Sequence, residues 1–123
     1  MNILLKSAII VDSESKYHLK KCDVLIEKGI ISKISSSIAI QKNMQVIKRP
    51  NLHISRGWFD SGVSFGEPGF EERENIENGL KTAALSGFTT VALNTNTRPV
   101  PDNKGAIGFL KTIAQNHGVT LLP

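Results

Sequence analysis

The stretch "ENIENGLKTAALSGFTTVAL", residues 74–93, decides the fold of this chain of 123 residues. In its first half, apolar residues recur at the spacing of one helix face: Ile76, Leu80, Ala83 and Ala84. Gly87 follows, and glycine readily ends a helix in the left-handed conformation. The next residues, "FTTVAL", have the composition of a buried strand. A helix that leads directly into such a strand indicates an α/β fold.

A strand is predicted before this helix, at residues 54–65. Between the two, acidic side chains stand at Glu71, Glu72 and Glu74. Because the helix dipole favours negative charge in the first turn, these residues predict a helix that begins near Phe70.

A second helix and a third strand are predicted after the loop "NTNTRPVPD". Asp102 or Asn103 can cap this helix, and Gly118 can end it before the strand "VTLL". Its apolar face consists of Ile107, Leu110, Ile113 and Ala114. The alternation of strands and helices is typical of a parallel sheet. Two helices are too few to close a barrel or to complete a doubly wound sheet, so we expect a longer parent protein.

The residues before Pro50 predict strands alone. The runs are "ILLKSAIIVD", "DVLIEKGIISKIS" and "MQVIK", and Gly29 is placed in a tight turn inside the second run. The sequence therefore predicts a small all-β domain at residues 1–52 and an α/β domain at residues 53–123.

Composition limits the possible partners and compartments. The chain is 40% hydrophobic and 21% charged, and no apolar run approaches the roughly 18 residues that span a bilayer. Cys22 is the single cysteine, which favours a reducing, cytoplasmic location and a packing role. The net charge of +4 is concentrated in residues 1–52, with nine basic and four acidic side chains. These lysines have few aromatic neighbours, so we expect a solvated strand face and no nucleic-acid partner.

Residues 67–102, "EPGFEERENIENGLKTAALSGFTTVALNTNTRPVPD", resemble the dihydroorotases of the amidohydrolase superfamily. The shared features occur in order: the Glu-Pro-Gly turn, the acidic helix start, the Ala-Ala-x-x-Gly-Phe-Thr junction and the Asn-Thr-x-Pro-Val-x-Asp loop. The resemblance implies that residues 1–52 belong to a composite β-sandwich. It also implies that residues 53–123 begin a TIM-type (β/α)8 barrel, which is incomplete in this chain.

The stretch "GWFDSGVSFGEPGF", residues 57–70, departs from that family where chemistry is expected. The family's first barrel strand carries Asp-x-His-x-His, whose histidines bind zinc, and then an Arg that holds the substrate carboxylate. Asp60 matches the Asp, but Gly62 and Ser64 stand at the histidine positions and Gly66 at the Arg position. Glycine has no ligating atom and a serine hydroxyl is a poor zinc ligand. Without zinc, the hydroxide nucleophile is lost, so we predict no metal ligand and no catalytic residue here, although the family uses zinc.

Asn96 is the one predicted substrate-binding residue. It matches the loop asparagine that contacts the substrate carboxylate in the family, although Thr95 replaces the usual Pro before it. The alternative is a plain turn residue, since asparagine is common in loops. Arg98 can also bind an anion, or can simply be a solvated loop side chain. The three histidines, His18, His53 and His117, are interpreted as surface or packing residues.

Three functions remain open at this point. The parent protein is a non-catalytic dihydroorotase-like protein that acts as a structural partner of aspartate transcarbamoylase, as inactive homologues in the family do. Alternatively, it is an active zinc dihydroorotase with an altered metal site. A third interpretation is that the 123 residues alone have no activity, whatever the parent does. An open parallel sheet also predicts that this chain self-associates.

Overall fold

The computed structural model describes residues 2–123, and the chain divides into two units, residues 1–56 and residues 57–123. This division lies a few residues after the boundary at residue 52 that the sequence predicts. No helix within residues 2–123 is long and apolar enough to cross a membrane.

The first unit is built from five strands. They are β1 (Asn2–Val11), β2 (Lys21–Glu27), β3 (Ile30–Ser35), β4 (Met44–Ile47) and β5 (His53–Ser55). The sheet has the order β3-β2-β1-β4, and β5 pairs with the far end of β1. β1 is antiparallel to β2 but parallel to β4 and β5. The predicted turn joins β2 to β3, and Gly29 adopts the positive φ of +79° that the turn requires.

Apolar side chains of β1 and β2 fill the interior of this unit. Leu4 packs against Leu25 and Ile38, while Ile10 packs against Cys22 and Val24. Cys22 is therefore a buried packing residue.

Asp23 is the only buried charged residue among those that the structure describes. Its carboxylate accepts hydrogen bonds from the N–H groups of Ser7 and Ile38, each at 2.8 Å, and pairs with the Lys6 ammonium. Burial raises the pKa of the Asp23 carboxyl, but the bonds from Lys6, Ser7 and Ile38 outweigh it and hold this pKa below its usual range. Asp23 therefore ties the bulge in β1 to the segment after β3.

The second unit alternates strands and helices. Its elements are β6 (Trp58–Val63), α1 (Ile76–Leu85), β7 (Phe88–Leu93), α2 (Lys104–Ile113) and β8 (Thr120–Leu122). The strands form a parallel sheet in the order β6-β7-β8. Both helices pack on this sheet and share one apolar core. The core consists of Phe65, Ile76, Leu80, Val91, Leu93, Leu110, Val119 and Leu121.

Side-chain caps and glycine set the bounds of the helices. Asn103 accepts a hydrogen bond from the Ala106 N–H at 3.0 Å and so caps α2, which is one of the two predicted caps. Gly87, with a φ of +88°, follows the last turn of α1 as predicted. Gly118 also has positive φ, but α2 has already ended at Ile113. The prediction that Gly118 ends α2 is therefore wrong.

Two further predictions about elements are wrong. The strand expected at 54–65 is two strands, because residues 53–55 pair with β1 in the first sheet and residues 58–63 pair with β7 in the second. Helix α1 begins at Ile76, not near Phe70. Its cap is Asn75, whose side chain accepts the Asn78 N–H at 2.8 Å, and the acidic residues before it lie in turns.

Candidate functional site

The candidate site lies at the carboxyl ends of β6 and β7, which are neighbouring parallel strands. Ligands of open parallel sheets and of barrels bind at this end of the strands. Two loops meet here, residues 64–75 after β6 and residues 94–103 after β7. The Asn94 N–H donates to the Val63 carbonyl at 2.8 Å, which extends the strand pairing into the loops.

Ser64 is the centre of a polar cluster that consists of Asp60, Gly62, Ser64, Asn94 and Asn96. The Ser64 hydroxyl oxygen accepts two hydrogen bonds, from Asn94 Nδ2 at 3.1 Å and from Asn96 Nδ2 at 3.3 Å. A hydroxyl oxygen has two acceptor positions. Both are therefore occupied by carboxamide donors, and only the hydroxyl proton is left to bind another group.

Asp60 and Gly62 lie on strand β6 and precede Ser64 in the chain. Asp60 Oδ1 accepts the Gly62 N–H at 3.0 Å, so one carboxylate oxygen supports the local backbone. Gly62 is exposed, and a Cβ added to it would lie 3.6 Å from Asn94 Oδ1, an ordinary contact. The backbone at residue 62 therefore has room for a side chain, although the sequence places none there.

Gly66 is in a different situation, because the chain folds tightly around it. Its N–H donates to the Glu74 carbonyl at 2.9 Å, and its carbonyl accepts the Phe70 N–H at 2.8 Å. A Cβ at residue 66 would lie 2.9 Å from the Glu74 carbonyl oxygen and would collide with the Phe70 carbonyl. No side chain fits at residue 66 unless the loop changes its path.

The Glu-Pro-Gly turn, residues 67–69, joins the first loop to the second. The Arg98 N–H donates to the Pro68 carbonyl at 2.9 Å. The Gly69 N–H donates to the Glu71 carboxylate at 2.8 Å, and this bond lowers the pKa of Glu71. Glu67 caps the approach to α1, since its carboxylate accepts the Ile76 N–H at 3.0 Å. Glu71 thus stabilises the turn, while Glu67 and Glu74 accept hydrogen bonds at the start of α1 without being part of the helix.

Arg98 packs beside an aromatic ring. Its guanidinium carbon lies 5.9 Å from the centre of the Phe70 ring, and that of Arg73 lies 4.3 Å from the same ring. Arg98 is exposed. Its suggested role in anion binding stays a prediction.

The hydrogen bonds that the structure shows for the histidines are all to nearby residues in the chain. His18 and His53 belong to the first unit, where His18 Nδ1 accepts the Asp12 N–H at 3.1 Å and His53 Nδ1 donates to the Asn51 carbonyl at 2.7 Å. His117 follows α2. Nowhere in residues 2–123 do three His, Cys, Asp or Glu side chains come together in a way that could hold a metal ion.

Asn94 is the site residue that the sequence analysis did not single out. Asn94 is polar and directly follows the buried strand "FTTVAL", at the strand end where ligands bind. A polar residue at that position indicates a candidate ligand-binding residue. Its contact with Ser64, 30 residues earlier, depends on strand pairing and was not predictable from local sequence.

Comparisons with known proteins point to one family. A family model described as dihydro-orotase-like matches residues 54–123. A dihydroorotase of Caldanaerobacter subterraneus subsp. tengcongensis is 36% identical over 119 residues, which cover 97% of this chain and 27% of that protein. A dihydroorotase of Bacillus licheniformis is 39% identical over 124 residues, which cover 100% of this chain and 28% of that protein. The chain therefore spans little more than a quarter of the length of these curated relatives.

Solved structures agree on the fold. The L-hydantoinase (dihydropyrimidinase) of Arthrobacter aurescens superimposes with a TM-score of 0.76 and 21% identity, over 91% of this chain and 24% of that one. A D-hydantoinase superimposes with a TM-score of 0.73 and 22% identity, over 98% of this chain and 26% of that one. At this level of identity the likeness establishes the mixed α/β fold alone.

Proposed function

The chain belongs to the dihydroorotase-like family, and from that premise we propose that its full-length protein is a non-catalytic amidohydrolase homologue of pyrimidine biosynthesis. In this proposal, residues 57–123 form the first three strands and two helices of a TIM-type barrel. The first unit contributes to a β-sandwich, and the protein works in the cytoplasm.

The observation that carries the proposal is the hydrogen bonding of Ser64. Members of the family are generally metal-dependent, and zinc accepts electron pairs from imidazole, thiolate or carboxylate. The two acceptor positions of the Ser64 hydroxyl already bind Asn94 and Asn96. Gly62, at the other position where the resemblance expects a ligand, has no side chain. The residues present therefore do not fit a zinc ion, and no catalytic step is derived through one.

Gly66 supports a non-catalytic role as well, because it leaves the substrate carboxylate without its expected partner. The resemblance expects a carboxylate-binding arginine at this position, and such a pair is bidentate and charge-assisted. The backbone of Phe70 and Glu74 closes around residue 66 and leaves no room for a side chain. Asn96 remains as a substrate-binding candidate, and one of the two donor positions of its carboxamide nitrogen is bonded to Ser64.

A structural role is the function that we propose in place of catalysis. The partner is an aspartate transcarbamoylase, which such a protein would support as a scaffold subunit. The alternative is an active zinc dihydroorotase. It is favoured by the retained Asp60 and Asn96 and by the 36% and 39% identity to dihydroorotases.

Metal analysis of the full-length protein separates the two functions. Protein purified without added metal should contain much less than one zinc ion per chain and should not interconvert carbamoyl aspartate and dihydroorotate. It should also co-sediment with the aspartate transcarbamoylase of the same organism. One or more tightly held zinc ions with a ligand from residues 57–66, together with turnover, would establish the enzyme instead.

A further inference from the structure

A cavity of about 540 Å³ lies in the first unit, against β1 and the segment from residue 48 to residue 52. Its lining includes Ser7, Lys21, Lys48, Arg49 and Asn51. Its volume falls in the range of small-molecule sites in proteins. This cavity belongs to a different unit from the strand-end cluster around Ser64 and shares no residue with it.

The cavity contains positive charge without a matching negative charge. Three of its lining residues are cations, Lys21, Lys48 and Arg49, and no acidic residue lines it. The four acidic side chains of residues 1–52 bind elsewhere: Asp12 and Glu14 to Arg56, Asp23 to Lys6, and Glu27 to Asn2. No ion pair in the described part of the chain involves a cavity cation. An anion is thus the ligand that the cavity electrostatics favour.

The backbone that frames the cavity is held in place. The Ile9 N–H donates to the Leu52 carbonyl at 2.8 Å, which joins β1 to the segment on the other side. The Ser7 N–H donates to Asp23 at 2.8 Å, which fixes the bulge of β1. Neither the Ser7 hydroxyl nor the Asn51 carboxamide takes part in any hydrogen bond found within residues 2–123. Both are neutral donors beside the three cations.

We propose that this cavity is a binding site for a small anion with two linked phosphate groups. Three cations exceed the charge of a single phosphate, and the volume exceeds what a single phosphate fills. Lysine and arginine both bind phosphate oxygens, arginine in a bidentate manner. No aromatic side chain lines the cavity, so a base has no stacking surface there, in contrast to the sites that bind single-stranded nucleic acid.

The test is a calorimetric titration of the 123-residue chain with inorganic diphosphate. We expect saturable binding of one diphosphate per chain. Lys48→Gln with Arg49→Gln should weaken the affinity by about tenfold or more, because it removes two of the three cations that line the cavity. Lys33→Gln with Lys42→Gln is the matched control, since it removes the same charge from exposed residues outside the cavity. This control should leave the affinity within about twofold of the original.

Amide chemical shifts give a second readout that does not depend on the variants. The N–H signals of Ser7, Ile9 and Leu52 should move on addition of diphosphate, while those of the second unit stay in place. The proposal is overturned by absence of saturable binding, or by equal weakening in both double variants. It is equally overturned by a single-stranded oligonucleotide that binds more tightly than diphosphate and depends on Lys48 and Arg49, since the surface would then bind nucleic acid.

Discussion

Asn94 bonds twice across the ends of two neighbouring strands, with its backbone N–H to the Val63 carbonyl at 2.8 Å and with its side chain to the Ser64 hydroxyl at 3.1 Å. The Ser64–Asn94 bond joins the loop after β6 to the loop after β7. The link consists of neutral hydrogen bonds.

Removal of the Ser64 hydroxyl should weaken this link measurably but modestly. Ser64→Ala leaves two exposed carboxamides that water can satisfy, so we expect a loss of about 1 kcal/mol or less in the free energy of unfolding. Urea unfolding of the chain measures it. Ser61→Ala, at an exposed serine three residues earlier, is the control and should be neutral. Equal stability of the two variants would show that the Ser64 bonds contribute nothing.

A methyl group at Gly66 should be far more damaging than one at Gly62. The Cβ at residue 66 meets the carbonyls of Phe70 and Glu74, whereas the Cβ at residue 62 makes only ordinary contacts with Asn94. We expect Gly66→Ala to lower the free energy of unfolding by about 2 kcal/mol, and Gly62→Ala to change it by less than about 0.5 kcal/mol. Denaturant midpoints of the two variants provide the comparison. Similar values would mean that the loop around residue 66 relaxes freely.

Two histidines at the strand end should increase zinc affinity in the full-length protein, if its later strands carry the remaining ligands. Residue 62 lies near the end of β6 and residue 64 directly follows this strand, and both positions contact the Asn94 side chain. Gly62→His with Ser64→His should therefore bind zinc more tightly, as measured by competition with a chelating dye. Either single variant is the control and should bind little, because one imidazole leaves the ion under-coordinated. If the double variant binds zinc no more tightly than the original protein, the later strands do not supply the remaining ligands.

Asp23 should make the first unit sensitive to acid. Its pKa is lowered in the folded state, so its contribution is fully present above the usual aspartate value of about 3.9 and is lost as the pH falls through the lower folded value. Asp23→Asn should cost about 2 kcal/mol or more at pH 7, because it leaves Lys6 without its partner. The free energy of unfolding should fall less between pH 7 and a pH below 3 in the variant than in the original chain. An unchanged difference would assign the acid sensitivity to other groups.

The 123-residue chain should self-associate through its second sheet. β6 and β8 each pair on one side only within the described part of the chain, and Phe59 on β6 is 58% exposed. Open strand edges pair readily with another chain. Sedimentation velocity should show dimers or larger species, and Phe59→Lys should shift them toward monomer. Lys81→Gln, at an exposed residue of α1, is the control and should leave the distribution of species unchanged. A monomeric original chain would contradict the prediction.

Local patterns predicted much of this fold where the interactions themselves are local. The turn at Gly29, the cap at Asn103 and the strand "FTTVAL" depend on neighbours within a few residues. The start of α1 did not follow from the acidic residues at 71–74, because Glu71 bonds to the Gly69 N–H in the preceding turn and Glu74 bonds to the N–H of the cap residue Asn75. Asn75, whose side chain bonds to the Asn78 N–H, was the stronger signal.

The wrong predictions and the missed residue share a physical origin in long-range contacts. Residues 53–55 and residues 58–63 look like one strand, but they pair with strands of two different sheets. Asn94 meets Ser64 only because β6 and β7 are neighbours. The glycine at residue 62 and the serine at residue 64 are visible in the sequence alone, whereas the two carboxamides that bond to Ser64 are not.

The tight turn at Gly66 makes the order of mutations matter. An arginine at this position is incompatible with the present course of residues 70–74, because their carbonyls occupy the space of its Cβ. A single substitution of Gly66 by arginine would disrupt the folded loop, whatever the arginine could contribute to ligand binding. An arginine at residue 66 therefore requires residues 70–74 to change course first, whereas residue 62 can take a side chain on the backbone as it stands. The two positions thus differ in evolvability: a change at residue 62 can occur alone, but one at residue 66 depends on earlier changes in the loop.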